Sequence, residues 1–227
     1  MNKGKFFTAV ITVGISVIIL LIVVNIMFGE NKINQGNYII SDAIVTSVVE
    51  FEDKAEKADE WKYDVSQTNK VSMLLQTLGD ATIKQIYLDN FKVNTKNNVH
   101  IYIEQKEYAL KYKYENIKDE KVNIYTEEAK DGNYIIEFNI INEDIISNYI
   151  VPEETKELRH DGTIINIVKM SASDIKFKVK YDLVVVQNNE RINTCKVEME
   201  MPNEKIATEG FYVQRLDSAN YNFKVKY

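Results

Sequence analysis

The side chains equipped for covalent, acid–base or metal chemistry are few and scattered: two histidines, His100 and His160, a single cysteine, Cys195, and the acidic pairs Glu127-Glu128, Glu143-Asp144 and Glu153-Glu154. The histidines share no H-x-x-x-H spacing and the chain has no C-x-x-C, so a zinc site would draw most of its ligands from Asp and Glu. His100 stands between Val99 and Ile101 and points outward if those two enter a core, which reads as a surface or satisfied histidine. His160, beside Arg159 and Asp161-Gly162, reads as part of a turn. Cys195 shares a strand face with Val197 and Met199, while Lys196 points away. It reads as a small buried hydrophobe rather than a nucleophile. The acidic pairs lack the D-x-D-x-D-G spacing of a calcium loop and read as solvated carboxylates. No G-x-S-x-G and no glycine-rich phosphate loop occurs. The expectation is a protein that is not an enzyme, with no catalytic, cofactor-binding or metal-ligating residue assigned and no cofactor required.

The 227 residues leave room for one domain beyond an apolar N-terminus, and 45% hydrophobic with 27% charged residues is the balance of a globular chain. A formal charge of −6 excludes the basic footprint of a nucleic-acid binder. With one cysteine the chain cannot close an internal disulfide, so its stability must come from its core. Fourteen tyrosines divide between core packing and an exposed recognition surface in proportions that sequence does not settle.

The elements that must position these groups fall into two zones. The uncharged run 6–28 would form a helix of roughly 34 Å, enough to cross a hydrocarbon layer of about 30 Å. Lys3 and Lys5 before it and Glu30 after it orient it with residues 1–5 as a cytoplasmic stub. The run is longer than a secretory leader's apolar region and lacks a small-residue cleavage pattern. These features predict a single-pass plasma-membrane protein, contacting lipid through residues 6–28, with its C-terminal domain outside the cytoplasm. Residues 29–92 read as a juxtamembrane helical segment. Ile40, Ile44, Val48, Phe51 and Ala55 step by four and three along 38–62, as on an amphipathic helix with a candidate interface. A second helix is expected over Ser66–Leu78, capped at Ser66 or Thr68 and ended by Gly79. The stretch Ala81–Phe91 is compatible with helix or strand.

From 93 to 227 the period becomes two, which predicts an antiparallel β-rich domain. Tyr134, Ile136, Phe138 and Ile140 alternate with their neighbours. So do Phe177, Val179, Tyr181, Leu183 and Val185, which should pair across Asn188-Asn189 with Cys195, Val197, Met199 and Met201. Tyr221, Phe223, Val225 and Tyr227 form a terminal strand. The expected class is therefore α+β: a transmembrane helix and an amphipathic helix followed by a mainly antiparallel sheet.

The order of elements resembles the pilin-like subunits of type IV and tight-adherence secretion systems. The resemblance rests on the short basic leader Met1-Asn2-Lys3-Gly4, the apolar segment opening at Phe6-Phe7, the helical continuation and the β-domain. It implies cleavage after Gly4, although Ala9 stands where that family usually carries Glu. It also implies a cell-envelope, pilus or secretion-type assembly subunit acting through protein contacts, with protein partners or self-association and no nucleic acid. Two other readings are a ligand-binding or sensor module with a cavity behind the tyrosine strands, and a hydrolase in which carboxylates from the Glu127, Asp144 and Glu153 regions converge.

Overall fold

The computed structural model describes residues 37–57, 62–94, 100–117, 120–150, 177–201 and 211–226. Long β-branched and aromatic runs make the first elements strands. β1 (Tyr38–Asp53) contains Ile39, Ile40, Ile44, Val45, Thr46, Val48 and Val49, side chains that lose rotamer freedom in a helix and fit a pleated surface. β2 (Lys62–Thr77) buries every second residue from Tyr63 to Leu75. The other strands are β3 (Ile83–Asn94), β4 (Ile101–Gln105), β5 (Leu110–Lys113), β6 (Val122–Ile124), β7 (Glu128–Lys130), β8 (Asn133–Ile150), β9 (Phe177–Gln187), β10 (Ile192–Met201), β11 (Phe211–Arg215) and β12 (Phe223–Lys226). A single turn of α-helix, Tyr114–Ile117, follows β5.

These strands make two antiparallel sheets. The first runs β11-β1-β2-β8-β4-β5, with β7 also on β8; the second runs β12-β10-β9-β3-β6. The chain passes repeatedly from one sheet to the other, so neither sheet is a separate unit. Their facing sides share one core, in which Tyr38, Ile40, Val71, Met73, Ile136 and Phe138 of the first sheet meet Leu88, Phe91, Tyr181, Leu183, Cys195 and Phe223 of the second. Tyr181 is central to that contact. Its ring stacks on Phe91 at 5.8 Å and meets Phe138 edge-on at 5.8 Å, so it joins β9 both to its sheet neighbour β3 and across to β8.

The hairpin expected across Asn188-Asn189 is present, with Leu183 opposite Cys195 and Tyr181 opposite Val197. The helical expectations are corrected. Where an amphipathic helix was expected over 38–62 the chain forms β1, which ends at Asp53, and the helix expected over Ser66–Leu78 is β2, so the described fold is antiparallel β rather than α+β, and the juxtamembrane segment supplies β1, β2 and most of β3. Steps of four, as from Ile44 to Val48, are also even steps that a strand keeps on one face, so this spacing does not separate helix from strand, and a bulge at Ser41 turns Ile40 to the other face. In β2 the inward positions Gln67 and Asn69 are polar, which hid a period of two. The single-pass plasma-membrane placement is corrected as well: among the described residues no helix is long and apolar enough to cross a membrane. The expected anchor 6–28 lies outside the described residues.

Two local features make the first sheet sensitive to substitution. Asp42, 3% exposed, receives both Arg215 Nε at 2.8 Å and Nη2 at 2.7 Å, a fork-on-fork pair that ties β11 to β1. Gly132, at φ +75 in the β7–β8 turn, lies where a Cβ would stand 2.3 Å from Thr77 Oγ1. Replacing Arg215 by Ala leaves the Asp42 carboxylate buried without its partner and should destabilise the fold by about 1–3 kcal/mol in urea denaturation, the lower end reflecting the half-exposed guanidinium. Gly132→Ala combines left-handed strain with the Thr77 clash, and an unfolding free energy at least about 1 kcal/mol below that of the unmodified protein is expected.

Candidate functional site

Two surface constellations flank β4, one at each end. At its start, Ile101 enters the core, which turns His100 to the outer face of the first sheet. The Glu143 N–H donates to the His100 carbonyl at 2.8 Å, extending the β4–β8 ladder past the Ile101–Asn142 pair, so His100 and Glu143 are cross-strand neighbours. In a regular strand the next side chain, Asp144, would leave on the opposite face. The strand is not regular there. Register jumps from Gln67–Asn142 to Val65–Ile146, two residues of β2 spanning four of β8, and Asp144 takes the left-handed conformation at φ 51. Its N–H is held by Ser66 Oγ at 2.9 Å. The result gathers a ring nitrogen of His100 and one carboxylate oxygen each of Glu143 and Asp144 within 4.8 Å of one another.

Glu143 also pairs with Lys111 from β5, Nζ to Oε1 at 2.9 Å, and the Lys111 ammonium sits 4.2 Å from the Tyr102 ring centroid. Burial works against the Lys111 charge, but the Glu143 hydrogen bond and its negative charge outweigh it and raise the ammonium's pKa.

Beyond the other end of β4, Tyr108 closes a 3-10 turn and Tyr125 follows β6. Their rings lie 5.3 Å apart, tilted by 33°. Both are exposed, at 37% and 50%. The buried Gln105 side chain positions Tyr125. Its Nε2 donates to the carbonyls of Tyr125 at 3.0 Å and Glu137 at 2.8 Å, and its Oε1 accepts from the Tyr125 N–H at 2.9 Å. A side-chain amide thus substitutes for the missing strand at that edge. Partial burial raises the Tyr108 phenol pKa, and the carboxylates of Glu127 and Glu107 push it in the same direction.

The five residues expected to share an interface are spread over different surroundings. A bulge at Ser41 separates Ile40, which enters the inter-sheet core, from Ile44, which packs on the opposite face against Leu74, Ile135 and Val213. Val48 is half-buried opposite Thr68, Phe51 is in register with Val65, and Ala55 lies past the end of β1. Of the acidic pairs, Glu128 turns inward on its own hairpin to accept from the Gly132 N–H at 2.8 Å. Glu127 and Asp144 lie toward opposite ends of β4, so the carboxylate convergence of a hydrolase is absent among the described residues. Glu153-Glu154 and His160 lie outside them. The sequence does not reveal the His100–Glu143–Asp144 cluster because His100 lies over forty positions from the Glu143-Asp144 pair and only the β4–β8 register with its bulge joins them. The Tyr108–Tyr125 pair carried no sequence signal beyond tyrosine content.

These features define an antiparallel two-sheet β-domain with one shared aromatic and aliphatic core and two side-chain clusters at the ends of one short strand. No family model, no curated protein and no solved structure matches the chain.

Cys195 lies in the core with Tyr181 and Tyr221 nearby. Burial pushes its thiol up to about 12, with the Asp182 charge adding to the shift, and burial likewise pushes the Tyr221 phenol up to about 12. Both groups ionise more readily when unfolded, so the stability they confer is complete below about pH 9 and is lost as pH rises toward the folded values. Denaturation midpoints should therefore fall between about pH 9 and 12. In the native protein at pH 8, Cys195 should resist a disulfide-exchange reagent that labels it readily in denaturant.

Proposed function

We propose that this domain is a binding module that works through noncovalent protein contacts, with the Tyr108–Tyr125 surface receiving basic side chains of its partner. The observation that carries this reading is the exposed tyrosine pair, set among described residues whose other aromatic side chains are buried or half-buried. Tyrosine offers large contact area at small cost in side-chain entropy, and the Gln105 clamp fixes the Tyr125 backbone from which the ring projects.

Charge decides the kind of partner. The ring faces are negative, Glu107 and Glu127 stand beside Tyr108, and the chain as a whole carries −6. A Lys or Arg placed over such a ring gains about 0.5–1 kcal/mol at an exposed site and about 2 once desolvated. The domain already uses this chemistry internally, where Lys111 covers Tyr102 and Lys121 stands 4.6 Å from the Tyr87 centroid.

The test is titration of the full chain with a short Arg/Lys-rich peptide, a matched acidic peptide and a neutral oligosaccharide, read on the aromatic NMR signals of Tyr108 and Tyr125. The basic peptide alone should shift both rings, with affinity falling as salt rises, and Tyr125→Ala should weaken it about tenfold without altering the melting temperature. Ring shifts caused by the oligosaccharide and not by the basic peptide would make the surface a sugar platform. No shift with any of the three would remove the reading.

A further inference from the structure

We propose that His100, Glu143 and Asp144 form a binding site for one divalent transition-metal ion of the Zn²⁺ class. The site is independent of the tyrosine surface, lying at the other end of β4. Its donor set, one imidazole nitrogen and two carboxylate oxygens, is the mixture that borderline first-row ions accept. Mg²⁺ and Ca²⁺ prefer oxygen alone.

Three structural facts support the assignment. The first is proximity: the three ligand atoms already lie within 4.8 Å of one another. Two ligands held at about 2.0–2.2 Å from a tetrahedral ion stand roughly 3.5 Å apart, so an adjustment of about 1 Å in side-chain position completes the set. The second is that the backbone is arranged to bring them together. Consecutive carboxylates on one strand normally diverge, and it is the two-residue bulge, with Asp144 left-handed and its N–H fixed by Ser66, that sets both beside His100. The third is availability. Among the described residues neither the His100 imidazole nor the Asp144 carboxylate has a side-chain hydrogen bond or ion-pair partner. Lys111 takes Oε1 of Glu143 and leaves that carboxylate its second oxygen.

The balance of charge fits. Two carboxylates neutralise a dication, and a neutral imidazole completes three protein ligands, leaving the fourth position to water. Lys111 is the competing cation, and a metal ion there would weaken its hold on Glu143. Bound metal would also add a side-chain link between the start of β4 and the β8 bulge, beside the backbone bond from the Glu143 N–H to the His100 carbonyl.

The experiment is calorimetric titration of the full chain with ZnCl₂, with MnCl₂ and MgCl₂ as comparisons, alongside NMR of the histidine ring signals. The expected result is one Zn²⁺ per chain, Mg²⁺ much weaker, and a shift of the His100 ring signals in the unmodified protein. His100→Ala and Asp144→Asn should each weaken Zn²⁺ binding at least tenfold with unchanged circular dichroism. His160→Ala should have no effect, and Lys111→Met should tighten binding several-fold by removing the competing ammonium. The proposal is overturned if Zn²⁺ fails to bind at about millimolar concentration. It is equally overturned if binding survives His100→Ala and disappears with His160→Ala. Should His100→Ala not fold, the ring signals of the unmodified protein decide the matter alone, since a His100 signal unmoved by saturating Zn²⁺ also defeats it.

Discussion

The register of three long neighbouring strands, β1, β2 and β8, is the constraint on which the rest depends. Side chains on a strand alternate between faces, so a slip of one residue would turn the whole inward row of β2 to the other side. A buried amide cluster opposes such a slip. Asn69 accepts from Ser47 Oγ at 2.6 Å and from Gln67 Nε2 at 2.9 Å, and donates to the Ile140 carbonyl at 3.2 Å. These contacts join all three strands through a single side chain. The Asn69 amide is paired in this register and would lose its partners in others, while the Oε1 of its neighbour Gln67 is buried without a hydrogen-bond partner, so the cluster specifies alignment more than it adds net stability.

Within that frame, departures from regularity do the positioning. The bulge at Ser41 lets β1 place Ile40 on the inter-sheet face and Ile44 on the opposite one, where it packs with Leu74. The bulge around Asp144 gathers three ligand-type side chains that a straight strand would separate. Gln105 replaces a backbone ladder with its own amide and so fixes Tyr125 at a place where strand pairing has ended. Each device is local, yet each has its effect only because the long strands on either side hold still.

The sheet borders tell against one mode of recognition. Three of the four borders are short or charged: β5 and β12 are four residues each and carry Lys111 and Lys113, and Lys224 and Lys226, and β6 is three residues; the fourth, β11, is five residues long and ends at Arg215, which Asp42 holds. Short, charged edges discourage addition of a foreign strand. Recognition through side-chain surfaces on the outer faces and turns suits this fold better than strand addition does, and both proposed sites are of that kind.

By itself the sequence determined the β-rich character of the described residues beyond 93, the β9–β10 hairpin and the inward placement of Cys195, because alternation of period two with a polar turn between is a local signal. It also determined that His100 faces away from Ile101, which needs only the strand pleat. It misread β1 and β2 as helices. Spacing of four is shared by both kinds of element, and the inward face of β2 is polar at Gln67 and Asn69 for reasons that lie in β1 and β8. Only the tertiary structure could decide that His100 meets Glu143 and Asp144 and that Tyr108 meets Tyr125. Those meetings depend on the register of β4 against β8 and on bulges whose positions are set by pairing between distant segments, and pairing is a property of two strands that neither one encodes alone.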